Sequence, residues 1–337
     1  MALQYGAYTA CLSDRSIPQM LDTLKGLGLT SVEVNSGGFI PAPHLPVDSL
    51  LASEAARADY LALYEDRGMT LTALNCNGNP LSPNASDGPK HAHDVRTSIE
   101  LAGLLGVKNV ITMSGLPGAD AAATLPTWVV NAWHGQDQEI LAYQWPVAVR
   151  FWKEIDRVAR DNDVRVALEL HPRNLVFNTT TFQRLIEETG ATNIGVEMDT
   201  SHLMWQQMDV PTVIRALGDR VYIAAAKDVA LFDGVRTKGV LDVDFVPVPA
   251  DAAGKVPVGY QHWCAQWPDD PAWRFVAVGV GHDVDYWVEV LTALQEVNPD
   301  CAINIEHEDA AMSTMEGLTL AAQTLLAAAA RVDGTDG

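Results

Sequence analysis

The sequence predicts an α/β fold of the (β/α)8 type, a closed barrel with extended loops after strands 4 and 7. Three observations predict it. Eight short β-like runs alternate with amphipathic helices along the whole chain, a rhythm that enforces parallel pairing through right-handed crossovers. Apolar residues make up 48% of the chain, enough for a large core and incompatible with disorder. The 337 residues exceed the roughly 250 of a minimal barrel, and the surplus falls at 115–138 and 229–281. Both excursions follow a strand, which places them at the end of a barrel where substrate loops gather.

The elements follow in order. A strand at Tyr5–Cys11 leads to a helix whose stripe is Ile17, Met20, Leu21, Leu24 and Leu27, with Ser16 as N-cap. The second strand is Ser31–Asn35, followed by a helix over Ser53–Arg67 that Gly68 stops. Leu71–Asn75 and the helix Ala92–Leu105 form the third unit; Asn109–Met113 and Ile140–Asp161 form the fourth. Strands at Arg165–Glu169, Ile194–Asp199 and Val221–Ala226 precede helices that begin near Thr180, Pro211 and Val284. The last strand is Ala302–Glu306, and an Ala-rich helix runs to about Val332. Residues 1–332 are expected to form one domain and 333–337 a flexible tail.

The charge narrows the partners. With 22 Lys and Arg against 43 Asp and Glu, the formal charge is −21, which repels nucleic acid and anionic membranes. The start, MALQYGAYTACLSDRS, has no basic segment and no long apolar stretch, so a cytoplasmic protein is expected. Cys11, Cys76, Cys264 and Cys301 lie far apart with no C-x-x-C, which reads as reduced thiols. Gly279-Val-Gly281 does not complete a dinucleotide fingerprint, so no NAD site is expected there.

Three strands end alike. Strict alternation in Val164–Leu170 puts the aliphatics on the helix-facing side and turns Glu169 into the barrel. The same parity turns Glu197 and Asp199 inward in Ile194–Asp199, and Asn304 and Glu306 inward in Ile303–Glu306. Carboxylates that converge need a compensating cation, and hard oxygen ligands suit Mn2+, Mg2+ or Co2+. The competing reading pairs each acid with an interior Lys or Arg, of which the chain has few.

Four runs carry a resemblance: Ala167-Leu-Glu-Leu-His-Pro172, Gly195-Val-Glu-Met-Asp-Thr-Ser-His202, Lys227-Asp228 and Ile305-Glu-His-Glu-Asp309. Together they resemble the xylose isomerase-like TIM-barrel superfamily of sugar phosphate isomerases and epimerases, over essentially the whole chain. The resemblance implies a divalent cation, Mn2+ before Mg2+ or Co2+, held by Glu169, Asp199 and Glu306. It implies His202 at the substrate or metal, and the two glutamates as the acid/base pair. It also implies an oligomer, either of this chain alone or with a small β-rich subunit. One ligand of the family pattern is missing: the histidine expected two residues before Lys227 is Ala225. His171, His202 and His282 are candidates to replace it.

Other residues extend the expected site. His134, in Trp133-His-Gly-Gln-Asp137, is a candidate proton shuttle, and Trp133 a candidate aromatic wall. Substrate contacts are also expected from His171, Lys227, Asn75, Trp205 and His282, with Asn77 beside Asn75 serving either hydroxyls or a turn. Trp128, Trp133, Trp145, Trp205, Trp263, Trp267 and Trp273 crowd the expected loops, which suits a flat group or a loop core. His44, His91, His93 and His262 are expected in solvent, with no role.

The reaction implied is enolisation of a sugar or keto-sugar, with Glu169 or His134 taking the proton and Glu306 or His202 returning it. Return of the proton gives an isomerase or epimerase. Departure of a β-substituent gives a lyase instead: an inosose dehydratase, or a C-glycoside deglycosidase catalytic subunit acting on 3-oxo-glycosides, a subgroup that the W-H-G-Q-D loop resembles. Ala225 also admits a catalytically impaired binding subunit. The superfamily's apurinic-site endonuclease branch is opposed by the charge of −21.

Overall fold

The structure, a computed structural model, describes residues 3–253, 255 and 263–334. His262 and residues 335–337 of the expected tail lie outside the described residues. The barrel strands are β1 (Gln4–Tyr8), β2 (Ser31–Asn35), β3 (Thr70–Asn75), β4 (Asn109–Met113), β5 (Arg165–Glu169), β6 (Ile194–Asp199), β7 (Val221–Ala226) and β10 (Ala302–Ile305). They close in the order β1-β10-β7-β6-β5-β4-β3-β2, parallel in each pair for which register is recorded. This is a (β/α)8 barrel.

The helices are α1 (Ile17–Gly26), α2 (Val47–Ala52), α3 (Glu54–Glu65), α4 (Asp87–Leu105), α5 (Gly135–Asp161), α6 (Thr179–Thr189), α7 (Thr200–Trp205), α8 (Val210–Leu217), α9 (Val235–Lys238), α10 (Val284–Val297) and α11 (Thr314–Val332). Local signals explain the ends. Ser16 precedes α1 and its N–H donates to the Gln19 side chain at 3.1 Å. Gly106 ends α4 in a left-handed conformation at φ 72°, where a side chain would be strained. Among the described residues, no helix is long and apolar enough to cross a membrane.

Several elements depart from the periodicity. The first strand stops at Tyr8 because Thr9–Leu12 tightens into a 3-10 turn. α4 and α5 begin earlier than their apolar stripes, on polar first turns that carry Asp87 and Asp137. The excursion after β7 contains an antiparallel hairpin, β8 (Asp228–Leu231) with β9 (Trp273–Val276), which the strand-helix rhythm does not reveal. His44 and His91, expected in solvent, are only 2% and 1% exposed. The His91 ring meets Phe39 edge-on at 5.0 Å.

Contacts divide the chain into two units, 1–33 with 60–71 and 198–337, and 34–59 with 72–197. The division cuts β2, β3 and β6 midway, so β6 carries Glu197 in one unit and Asp199 in the other on one continuous strand.

Candidate metal and proton-transfer site

In the first unit, the D-x-S-H run explains itself. Asp199 ends β6 and caps α7: its Oδ1 accepts from the Ser201 N–H at 2.8 Å and the Ser201 hydroxyl at 2.7 Å. One helical turn then sets His202 over the same carboxylate, with Nε2 at 3.2 Å from Oδ2. One oxygen builds the turn and the other faces the site. Burial alone would raise the Asp199 pKa, but the charges of His202 and Lys227 and hydrogen bonds from His202 and Ser201 outweigh it. Its carboxyl is held well below the usual range.

Lys227 follows β7 two residues after Ala225, on the same face by parity. Its ammonium donates to Glu306 Oε1 at 3.0 Å and lies 2.9 Å from Glu308 Oε2 and 3.7 Å from Asp199 Oδ2. Lys227 is 3% exposed, so these contacts are weakly screened. The Thr200 hydroxyl donates to the Lys227 carbonyl at 2.6 Å and ties the end of β7 to the start of α7. The acids thus have an interior lysine, as the competing reading required, but one ammonium faces three carboxylates.

The hairpin supplies an aromatic wall. Phe275 on β9 packs edge-on to the His202 ring at 5.6 Å and lies under the Lys227 ammonium at 4.6 Å. Trp273 meets Trp205 at 5.7 Å and Trp267 at 4.5 Å, and Phe245 meets Trp267 at 4.9 Å. Trp205 therefore belongs to a cluster of the long excursion, with Trp267 and Trp273.

Asp228, next to Lys227, has another task. Its Oδ2 accepts the N–H groups of Gly279, Gly281 and His282 at 3.2, 3.1 and 3.0 Å. Its Oδ1 accepts from the Val229 N–H at 2.8 Å and lies 2.7 Å from His282 Nδ1. His282 thus stands in a loop wrapped on a buried carboxylate, with its ring stacked on Tyr286 at 4.3 Å. Asn304, expected inward, lies within the barrel: Ser31 donates to its Oδ1 at 2.7 Å and its Nδ2 donates to Glu33 at 3.0 Å.

In the second unit, Glu169 ends β5 opposite Glu197 of β6. Both are 1% exposed. The Asn77 amide donates to Glu169 Oε2 at 2.5 Å. The Asn75 Oδ1 accepts from the Asn77 N–H at 3.0 Å, in the turn that the Asn, Gly and Pro composition admits. Asn77 is the residue that reaches the carboxylate. His171 is half-buried, with Nδ1 2.5 Å from the Pro172 carbonyl.

The first unit offers Asp199, His202 and Glu306 as candidate ligands, and the second unit Glu169 and His171. Hard oxygen donors with two imidazoles fit a divalent cation.

His134 and Trp133 are placed elsewhere. His134 is the exposed N-cap of α5, and Trp133 is 87% exposed. Both stand in open solvent, without the desolvation that a proton shuttle or an aromatic wall draws on. Trp145, within the expected helix Ile140–Asp161, is buried in α5 with the Arg184 guanidinium 4.2 Å from its ring. The sequence reading passed over Glu308 and Phe275. Glu308 shares the parity of Glu306, and Trp273-Arg-Phe-Val276 is a short β-like run, so both carried a signal.

Comparison with known proteins supports the fold on independent grounds. The chain is 34% identical over 330 residues to the uncharacterized protein YfiH of Bacillus subtilis (strain 168), covering 96% of this chain and 98% of that one. Similar solved structures include the probable 3-DHS dehydratase AsbF of Bacillus anthracis, at 16% identity and TM-score 0.63, covering 96% and 99% of the two chains. A xylose isomerase-like TIM-barrel protein of Mycobacterium smegmatis in complex with magnesium matches at 11% identity and TM-score 0.61, covering 98% of each chain. An L-ribulose 3-epimerase matches at 15% identity and TM-score 0.60, covering 100% and 99%. The family model described as xylose isomerase-like TIM barrel matches residues 21–328, and the chain belongs to that family.

Proposed function

We propose that the protein is a metal-dependent enzyme that enolises a sugar or keto-sugar, with an isomerase or epimerase outcome. The observation that carries this reading is the charge imbalance at Lys227, where Asp199, Glu306 and Glu308 meet a single ammonium. Such a cluster favours a further cation, and Glu169 adds a fourth acid on the neighbouring strand. Asp199, Glu306 and Glu169 would hold a divalent cation, Mn2+ before Mg2+ or Co2+. When bound, that cation supplies Lewis-acid polarisation of a substrate carbonyl and stabilises the negative charge that develops on it.

The chain's own groups move the proton. Asn77 fixes the plane of the Glu169 carboxylate, which takes the proton from the carbon beside the carbonyl. Glu306, or His202 oriented by Asp199, returns a proton at the neighbouring position. His171 and Lys227 bind hydroxyls. A small-molecule sugar or glycoside is the substrate class; an oligomer, either of this chain or with a small β-rich subunit, and a cytoplasmic location complete the reading.

A lyase outcome is the second reading, favoured by the aromatic group of Trp205, Trp267, Trp273 and Phe275 beside His202. A flat aglycone stacked there would leave as Glu306 or His202 protonates it. The test incubates the protein with Mn2+ in D2O, with ketohexoses and separately with 3-oxo-glucosides, followed by NMR. Deuterium in recovered ketose supports the isomerase, and released aglycone the lyase. If neither occurs with Mn2+, Mg2+ or Co2+, the enzymatic reading fails and the impaired binding subunit takes its place.

A further inference from the structure

We propose that Lys227 is a built-in competitor for the divalent cation, and that Glu308 is the residue to which its ammonium withdraws when the cation binds. The proposal rests on the reading that Asp199 and Glu306 are cation ligands. It explains how the chain works without a histidine at Ala225, which shares its face of the barrel with Lys227.

The geometry carries the argument. The ammonium has two kinds of acid as partners: Glu306 at 3.0 Å and Asp199 at 3.7 Å, and Glu308 at 2.9 Å. The first two are 13% and 1% exposed, whereas Glu308 is 50% exposed. A divalent cation on Glu306 and Asp199 would stand next to the ammonium in a buried setting, where repulsion between like charges is large. A short displacement toward Glu308 relieves it and keeps an ionic partner for Lys227. Phe275, 4.6 Å from the ammonium, offers a second hold during that displacement. Glu308 acts through Lys227, as a positioning residue.

The test measures Mn2+ binding directly, by the loss of the free-ion signal in electron paramagnetic resonance and by calorimetry, on the full chain at one pH. Lys227→Met is expected to bind Mn2+ about tenfold or more tightly than the wild type, since a like charge has been removed from the site. Lys227→Arg keeps the charge and stays close to the wild type. Glu308→Gln, at a half-exposed position, is expected to bind several-fold more weakly. The double variant Lys227→Met/Glu308→Gln behaves like Lys227→Met, because without the ammonium Glu308 has nothing to accept. Binding by Lys227→Met no tighter than wild type overturns the proposal, as does a Glu308→Gln loss that persists in the double variant. Those results leave wild-type Mn2+ binding, and the enzymatic reading, intact. If neither the wild type nor Lys227→Met binds Mn2+ at millimolar concentration, the metal reading fails and the competitor role fails with it.

Discussion

The amide of Asn77 donates to Oε2 of Glu169 at 2.5 Å, from a loop that follows β3 to a carboxylate that ends β5. The bond holds one plane of the proposed base. Asn77→Ala is expected to lower kcat by about 10- to 100-fold with a small change in KM, as removal of an orienting group does. Asn77→Asp sets a like charge against Glu169 and is expected to be worse. Steady-state kinetics on the substrate identified in D2O, with circular dichroism to confirm the fold, check both. Equal kcat in the alanine variant would remove Asn77 from the machinery.

His91 gives the protein a pH-dependent stability at neutral to mildly acid pH. Burial first, then the Lys90 charge, lowers its pKa, and its Nδ1 accepts the Asn79 N–H at 3.0 Å, which keeps that nitrogen unprotonated. A histidine with a depressed folded pKa contributes stability that is full above its unfolded value near 6.5 and is lost as pH falls below it. The wild type is therefore expected to lose stability between pH 7 and pH 5, at up to about 1.4 kcal/mol per pH unit from this residue. His91→Gln is expected to show a shallower slope in urea denaturation across the same interval, even if its stability at pH 7 is lower.

Much of the barrel was legible because short runs of alternating aliphatic and polar or small residues recur between amphipathic helices. The spans Ser31–Asn35, Asn109–Met113, Arg165–Glu169, Ile194–Asp199 and Val221–Ala226 are fixed by that pattern and by the helices between them. The inward parity of Glu169, Asp199 and Asn304 was legible for the same reason. What escaped the sequence depends on contacts distant in the chain. The β8–β9 hairpin is closed by residues more than forty positions apart, so nothing local announced that Phe275 would reach His202 and Lys227. His91 is polar on a mixed helix, and only the packing of Phe39 and Asn79 shows that it is buried. The W-H-G-Q-D run opens α5, with His134 as its N-cap, a helix start that its apolar periodicity does not mark.

Asp228 is expected to be the strongest single anchor of the excursion after β7. Its carboxylate accepts four backbone N–H groups and faces His282, within residues 228–282. Asp228→Ala strands those donors and is expected to cost about 3 to 5 kcal/mol, well beyond His282→Ala. Gly279→Ala tests the same loop from the other side: φ is +98° there and an added Cβ would lie 2.3 Å from the Thr324 hydroxyl. A loss of about 2 kcal/mol or more is expected. Thermal denaturation followed by circular dichroism ranks the three, and an Asp228→Ala variant as stable as the wild type would refute the anchor.

Asp199 should reveal itself in a different pH window from His91. Burial opposes its ionisation, yet the His202 and Lys227 charges and the hydrogen bonds from His202 and Ser201 keep its folded pKa depressed. A carboxylate with a depressed folded pKa contributes stability that is complete above its unfolded value near 3.9 and is lost only as pH falls toward the folded one. Asp199→Asn preserves the shape but gives His202 and Ser201 a neutral partner in place of the carboxylate, for an expected loss of about 1 to 3 kcal/mol. That loss is expected to be the same at pH 7 and pH 5 and to shrink below about pH 4, where the wild type begins to surrender the same contribution. Urea denaturation of both proteins at pH 7, 5 and 3.5 separates the cases. A difference that already narrows between pH 7 and pH 5 would mean that Asp199 takes up its proton at mildly acid pH, and that His202 and Lys227 do not hold it ionised.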